Sequence, residues 1–221
     1  RLMLDKFRLG LFDNPYVDEQ EVATIVGNPE FVAAGKNAQR RSMILLKNTL
    51  IEGSSAPVLP ITGHKKIYLE NVSAELAAEY GEVVTTPEEA DIAIIRISAP
   101  NYPHDGFFDG RFHSGDLDFK GEEKQRLLDL MSKVPTVVDI YLDRAAVIPD
   151  IAENSVALIA NFGVTDELLL ELVWGRFNPG GKLPFELPSS MQAVANQQED
   201  VPYDTENPLF SFGHGLRYDT N

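Results

Sequence analysis

The sequence contains no cysteine. Disulfides, thiolate metal sites and a cysteine nucleophile are therefore excluded. Positive charge is scarce, with 19 Lys and Arg against 34 Asp and Glu and a net charge of −15. That balance suits neither a nucleic-acid backbone nor an anionic membrane surface, so neither is expected as a partner. No apolar run approaches the length of a membrane-spanning helix. The chain opens on Arg1 rather than Met and has no apolar leader-like stretch, so a cropped, processed or partial chain is expected. Internal repeats and low-complexity tracts are also missing. What is present is ordinary for a globular fold. The 221 residues are 43% hydrophobic and 24% charged, enough to bury a substantial core without staples.

Hydrophobic periodicity gives the architecture. Leu2, Leu4, Phe7 and Leu9 follow a helical pattern that stops at Gly10. Residues 1–27, turn-rich around Asn14-Pro15, read as a connector trailing from an upstream domain absent from this sequence. Residues 28–221 read as the main domain. Asn28 and Pro29 are the cap and first turn of a helix reaching about Ser42. Met43 to Lys47 reads as a strand, and the Gly, Ser and Pro of residues 48–63 as loop. Strand and helix patterns then alternate. Strands are expected at 66–69, 92–97, 136–141 and 156–160, and helices at 73–80, 121–133, 145–153 and 166–174. Alternation of this kind predicts an α/β fold: a mostly parallel sheet flanked by helices, a three-layer α/β sandwich flavodoxin-like in style. The remaining tail, rich in turn formers, is expected to give one short strand and an extended arm.

One connection is out of proportion. About 20 residues separate Ile97 from Gly121, whereas α/β connections normally run about 2–6 residues, and much longer ones are usually functional or disordered. The segment leaves the carboxyl end of a parallel strand, where open α/β sheets place ligands. Residues 101–116 hold Asp105, Asp109 and Asp116, the histidines His104 and His113, Arg111, and the aromatics Tyr102, Phe107, Phe108 and Phe112. Aromatic rings can stack on the apolar face of a sugar. A carboxyl in such surroundings has a raised pKa and can donate a proton. A bland excursion with solvated charges has the same composition.

Other motifs are weak. The loop's His and Asp residues match no metal-site spacing. Gly213-x-Gly215 follows no strand–helix turn, Gly180-Gly181-Lys182 lacks the phosphate-loop pattern, and no Gly-x-Ser-x-Gly elbow occurs. Neither metal nor cofactor is expected. Trp174 reads as core, and Arg40 and Arg41 as solvated or ion-paired.

The segment Trp174-Gly175-Arg176-Phe177-Asn178-Pro179-Gly180-Gly181-Lys182-Leu183-Pro184-Phe185-Glu186-Leu187-Pro188 resembles the Phe-Gly-x-x-Asn-Pro-x-Gly-Lys-Leu-Pro-x-x-x-Pro run of family 3 glycoside hydrolases, with Trp174 in place of Phe. Three further segments are similar to that family in the same order. Residues 7–16 resemble the stretch leaving its catalytic barrel, residues 41–48 the start of its second domain, and residues 208–216 that domain's closing motif. The resemblance implies that this chain is the C-terminal α/β sandwich domain of a β-glucosidase-like enzyme. It further implies a retaining, exo-acting β-glycosidase whose aspartate nucleophile lies on a (β/α)₈ barrel outside these residues. Retention needs two carboxyls about 5–5.5 Å apart, so these residues alone are expected to be inactive. The implied partners are that barrel and a β-glucoside or oligosaccharide substrate. The expected compartment is the periplasm or extracellular space in preference to the cytoplasm, though the absence of cysteine is compatible with either.

In many members a loop of the second domain supplies a glutamate as acid/base. Here no glutamate occurs between Glu89 and Glu122. Gly115-Asp116-Leu117-Asp118-Phe119 is similar to the Gly-Asp and Leu-x-Leu part of the family segment. By that resemblance Asp109 is the first candidate for the acid/base and Asp105 the second, while Phe107, Phe108, Arg111 and His113 are candidates for substrate contact. The alternatives are a non-catalytic module that buttresses the barrel or binds sugar, and an unrelated α/β ligand-binding domain.

Overall fold

Each long aliphatic run becomes a strand buried on both faces, and these strands form one sheet. The computed structural model describes the chain except Glu52, His104, Asp105, residues 107–111 and residues 219–221. Two units are distinguished, Arg1–Asn37 and Ala38–Asn221. The first holds α1 (Leu2–Arg8), α2 (Glu19–Ile25) and the start of α3 (Pro29–Ser42). No residue of these helices is buried. The connector expected over residues 1–27 thus contains a helix, α2, in its turn-rich part. Asp18 starts it by accepting a hydrogen bond from the Gln20 backbone at 2.9 Å.

The second unit continues with β1 (Ile44–Asn48), β2 (Lys66–Glu70), α4 (Ala74–Ala77), β3 (Glu82–Val84), β4 (Ile92–Ser98), α5 (Gly121–Lys133), β5 (Thr136–Tyr141), α6 (Pro149–Asn154), β6 (Ala157–Asn161), α7 (Asp166–Val173) and α8 (Met191–Asn196). The sheet order is β1-β6-β5-β4-β2-β3. All neighbours are parallel except β1, which runs antiparallel to β6. Alternate side chains of β4 enter two separate cores. Ala93, Ile95 and Ile97 pack with Leu127, Leu130, Ile151, Leu183 and Leu187. Ile92 and Ile94 pack with Ala77 and with Leu168, Leu169, Leu170, Leu172 and Val173 of α7. This is the expected layered α/β architecture.

Several local expectations are corrected. The helix expected over 145–153 is reduced to Pro149–Asn154, because Val147 is held extended by a bridge to Asp118. The three-residue β3 escapes periodicity by its shortness. Among the described residues the tail forms no strand but isolated bridges, Leu187 with Phe210 and Leu45 with Leu216, and a short helix capped by Ser190. Pro184 and Pro188, which lack N–H donors, interrupt any longer ladder.

Two charges interrupt the apolar central strands, and they are matched. Arg96 of β4 lies in register with Asp139 of β5. Its Nε donates to Asp139 at 2.7 Å and its Nη1 to Asp166 at 2.5 Å. Asn161 of β6 donates to the other Asp139 oxygen at 2.8 Å. Asp139 is fully buried. Burial pushes its carboxyl above the usual carboxylate range, and the opposing pull of Arg96 and Asn161 does not cancel that. Asp166 also accepts from the Ser73 backbone at 2.8 Å, tying α7 to the start of α4. Asp139→Ala would strip the Arg96 Nε and Asn161 of their acceptor. We expect it to lower stability in urea unfolding by about 3–5 kcal/mol; a change within experimental error would show that the network is dispensable.

Candidate functional site

The long connection leaves the carboxyl end of β4 as a hairpin-like stem. The Ala99 backbone donates to Tyr141 at 2.9 Å, so the chain stays beside β5 for one more residue. Asn101 then accepts from the Ser114 backbone at 3.1 Å, and the Tyr102 backbone donates to the Ser114 carbonyl at 2.9 Å. These bonds close the stem. Gly115 turns the chain with φ +79°, and a Cβ there would meet the Tyr102 carbonyl oxygen at 2.5 Å. Only glycine satisfies both the left-handed backbone and the close approach.

The return limb is fastened to its surroundings. The Tyr102 hydroxyl donates to the Asp118 carbonyl at 3.2 Å and accepts from the Lys120 backbone at 2.9 Å. Lys120 forms an ion pair with Asp116, which raises the Lys120 pKa above its ordinary value. The Val147 backbone donates to Leu117 at 2.9 Å. Arg144, in the connection after β5, donates from Nη2 to the Gly115 carbonyl at 2.6 Å. His113 meets the carboxylate of Asp143 through Nδ1. Beside the end of this limb, Phe119, Val147, Ile148 and Met191 form the apolar wall of a small cavity of about 210 Å³, with Lys124 and Asp150 paired at its rim.

Among the expected site residues, Asp105, Asp109, Phe107, Phe108 and Arg111 lie outside the described residues, as does His104. His113 belongs to the return limb, is exposed, and meets Asp143 through a ring nitrogen. Asp143 and Arg144 are contacts that no motif of the sequence marks. Their position directly after a parallel strand's carboxyl end was the available signal. Trp174 packs on Tyr80 with ring centroids 4.8 Å apart, and Arg40 pairs with Glu171 at 2.9 Å, both structural. Among the described residues no group of three His, Asp or Glu side chains could hold a metal.

A family model, the glycosyl hydrolase family 3 C-terminal domain, matches residues 27–218. The chain belongs to that family. Beta-glucosidase C of Emericella nidulans is 47% identical over 225 residues, an alignment covering 100% of this chain and 35% of that protein. The periplasmic beta-glucosidase/beta-xylosidase of Dickeya chrysanthemi is 41% identical, covering 98% of this chain and 33% of that protein. The chain thus spans about a third of these relatives' length. The solved beta-glucosidase from Listeria innocua in complex with isofagomine shares the fold, with a TM-score of 0.72 and 20% identity over 98% of this chain and 38% of that one. The chain is therefore a C-terminal domain of the glycosyl hydrolase 3 family, and the stem is a feature of that domain's carboxyl edge.

The stem gives a direct test. Gly115→Ala should force Tyr102 and Ser114 apart. Strain of this kind costs about 1–3 kcal/mol, so hydrogen exchange at their amides should quicken by about tenfold or more while β5 amides are unchanged. Unchanged exchange at Tyr102 would show that the stem does not depend on the left-handed turn.

Proposed function

We propose that this domain completes the active site of a retaining, exo-acting β-glycosidase that hydrolyses terminal β-linked sugars, β-glucosides first among them. The observation that carries the reading is the 20-residue loop held on a built stem at the carboxyl end of β4, in a chain of this family whose named relatives are β-glucosidases about three times as long. A (β/α)₈ barrel outside these residues supplies the nucleophile. The loop supplies the acid/base, Asp109 in the first place and Asp105 in the second, with Phe107, Phe108 and Arg111 contacting the sugar, while His113, expected beside them, is engaged by Asp143 instead.

The chemistry runs in two steps. In the first, the barrel carboxylate attacks the anomeric carbon, the glycosidic bond breaks, and the loop carboxyl gives its proton to the departing oxygen. In the second, the same loop group, now a carboxylate, takes a proton from water as that water displaces the enzyme ester. One carboxyl cannot be both nucleophile and acid/base, so residues 1–221 alone are inactive. An aspartate is one methylene shorter than a glutamate, so the loop backbone comes closer to the substrate. The protein works in the periplasm or outside the cell, as the name of the Dickeya relative suggests for that enzyme.

In the full-length protein, Asp109→Asn should lower turnover of an aryl β-glucoside with a poor leaving group by about 10²–10⁴-fold. A dinitrophenyl glucoside should suffer far less in the bond-breaking step, and azide should restore turnover. The same pattern in Asp105→Asn instead would move the role to Asp105. Full activity in both variants would mean that the domain only buttresses the barrel.

A further inference from the structure

The described part of the loop is fixed at His113, which Asp143 engages in place of the sugar contact expected of it. His113 and Asp143 lie 30 positions apart in sequence, yet their side chains meet, Nδ1 against a carboxylate oxygen. One position on from Asp143, Arg144 reaches back to the Gly115 carbonyl at 2.6 Å. Two consecutive residues of the connection after β5 therefore grip two points of the return limb, two residues apart. The connection is itself well seated. The Leu142 backbone donates to Asn161 of β6 at 2.9 Å, and Leu142 and Ala146 are buried. The grip thus transmits the position of the sheet to the limb.

The two contacts differ in kind. Arg144 holds backbone and lies next to the turn that closes the stem. His113 lies on the tip side of that turn, so its pairing with Asp143 restrains the chain where it enters the tip. Asp143 is 23% exposed by side chain and His113 41%, so the pair is half-shielded. Among the described residues the ring has no second partner. An imidazole held by Nδ1 against a carboxylate has a restrained ring plane.

We propose that His113 and Asp143 form a positioning clamp for the loop that delivers the acid/base, with Arg144 as its backbone anchor. This rests on the glycosidase reading above and adds His113 and Asp143 as positioning residues. Their contribution falls on the proton-delivery step. Poor leaving groups need an accurately placed proton donor, whereas good ones do not. A misplacement on the order of 1 Å can cost about 100-fold in a step that needs such geometry.

The test uses the full-length protein and a series of aryl β-glucosides, from 2,4-dinitrophenyl to phenyl. His113→Ala and Asp143→Ala should each lower kcat on the phenyl glucoside by about tenfold to 100-fold, with KM and the dinitrophenyl rate little changed. The double variant should lose no more than either single one, because both remove the same contact. His113→Asn, whose amide N–H falls near the place of Nδ1, should recover most of the loss. Equal losses across the leaving groups, no loss, or losses that multiply in the double variant would overturn the clamp. Wild-type turnover of the dinitrophenyl glucoside separates the two failures. If wild type turns it over and the variants show no leaving-group dependence, only the clamp falls. If wild type turns over no aryl glycoside, the glycosidase reading falls and the clamp with it.

Discussion

A charge placed on a central strand must find its partner before the sheet can close, and here one arginine organises that closure. Arg96 is the single charged residue of β4, and Asp139 the single charged residue of β5. Their pairing, extended to Asn161 and Asp166, ties three neighbouring strands and the first turn of α7 at one level of the sheet. Asn71 adds a bond to the Arg96 carbonyl at 2.9 Å. Apolar residues can slide past one another at small cost, but a buried ion with fixed donors cannot. The network therefore sets the relative height of β4, β5 and β6. The long loop departs just past Arg96, and the gripping connection just past Asp139. The place from which the loop departs is thus fixed by the sheet beneath it.

The segments that make the family recognisable do different work. The Asn178-Pro-Gly-Gly-Lys run, the closing Gly213-His-Gly and the start of β1 converge on the antiparallel edge of the sheet. A Cβ on Gly181 would lie 2.3 Å from the Met43 carbonyl oxygen, and one on Gly215 would lie 2.4 Å from the Gly181 carbonyl oxygen. Lys182 donates to the Gly215 carbonyl at 2.5 Å, and His214 Nε2 to the Leu46 carbonyl at 2.8 Å. Backbone packed this closely tolerates only glycine at those points. The motif is therefore a signature of how the domain is closed and says little about substrate.

That division explains what could be read from the sequence. The buried strands and α5 and α7 were legible because long apolar runs and amphipathic stretches have few alternatives. The loop was legible through its length. The antiparallel direction of β1 was not, since it is decided by pairing with β6, more than 100 residues away in sequence. Nor were β3, α2 and α8, which are short and depend on local caps or on neighbours. In the site, His113 carried a signal by composition, but its partner Asp143 did not. A single Asp after a strand looks like any other until the fold brings the loop to it.

In the proposed division of labour, this domain presents a loop to a reaction whose nucleophile lies elsewhere. The most direct measurement is covalent trapping of the full-length protein with a 2-deoxy-2-fluoro-β-glucosyl donor, followed by peptide mapping. A labelled aspartate outside residues 1–221 is the predicted result. A label on any carboxylate within these residues would contradict the account, because the domain would then hold the nucleophile itself.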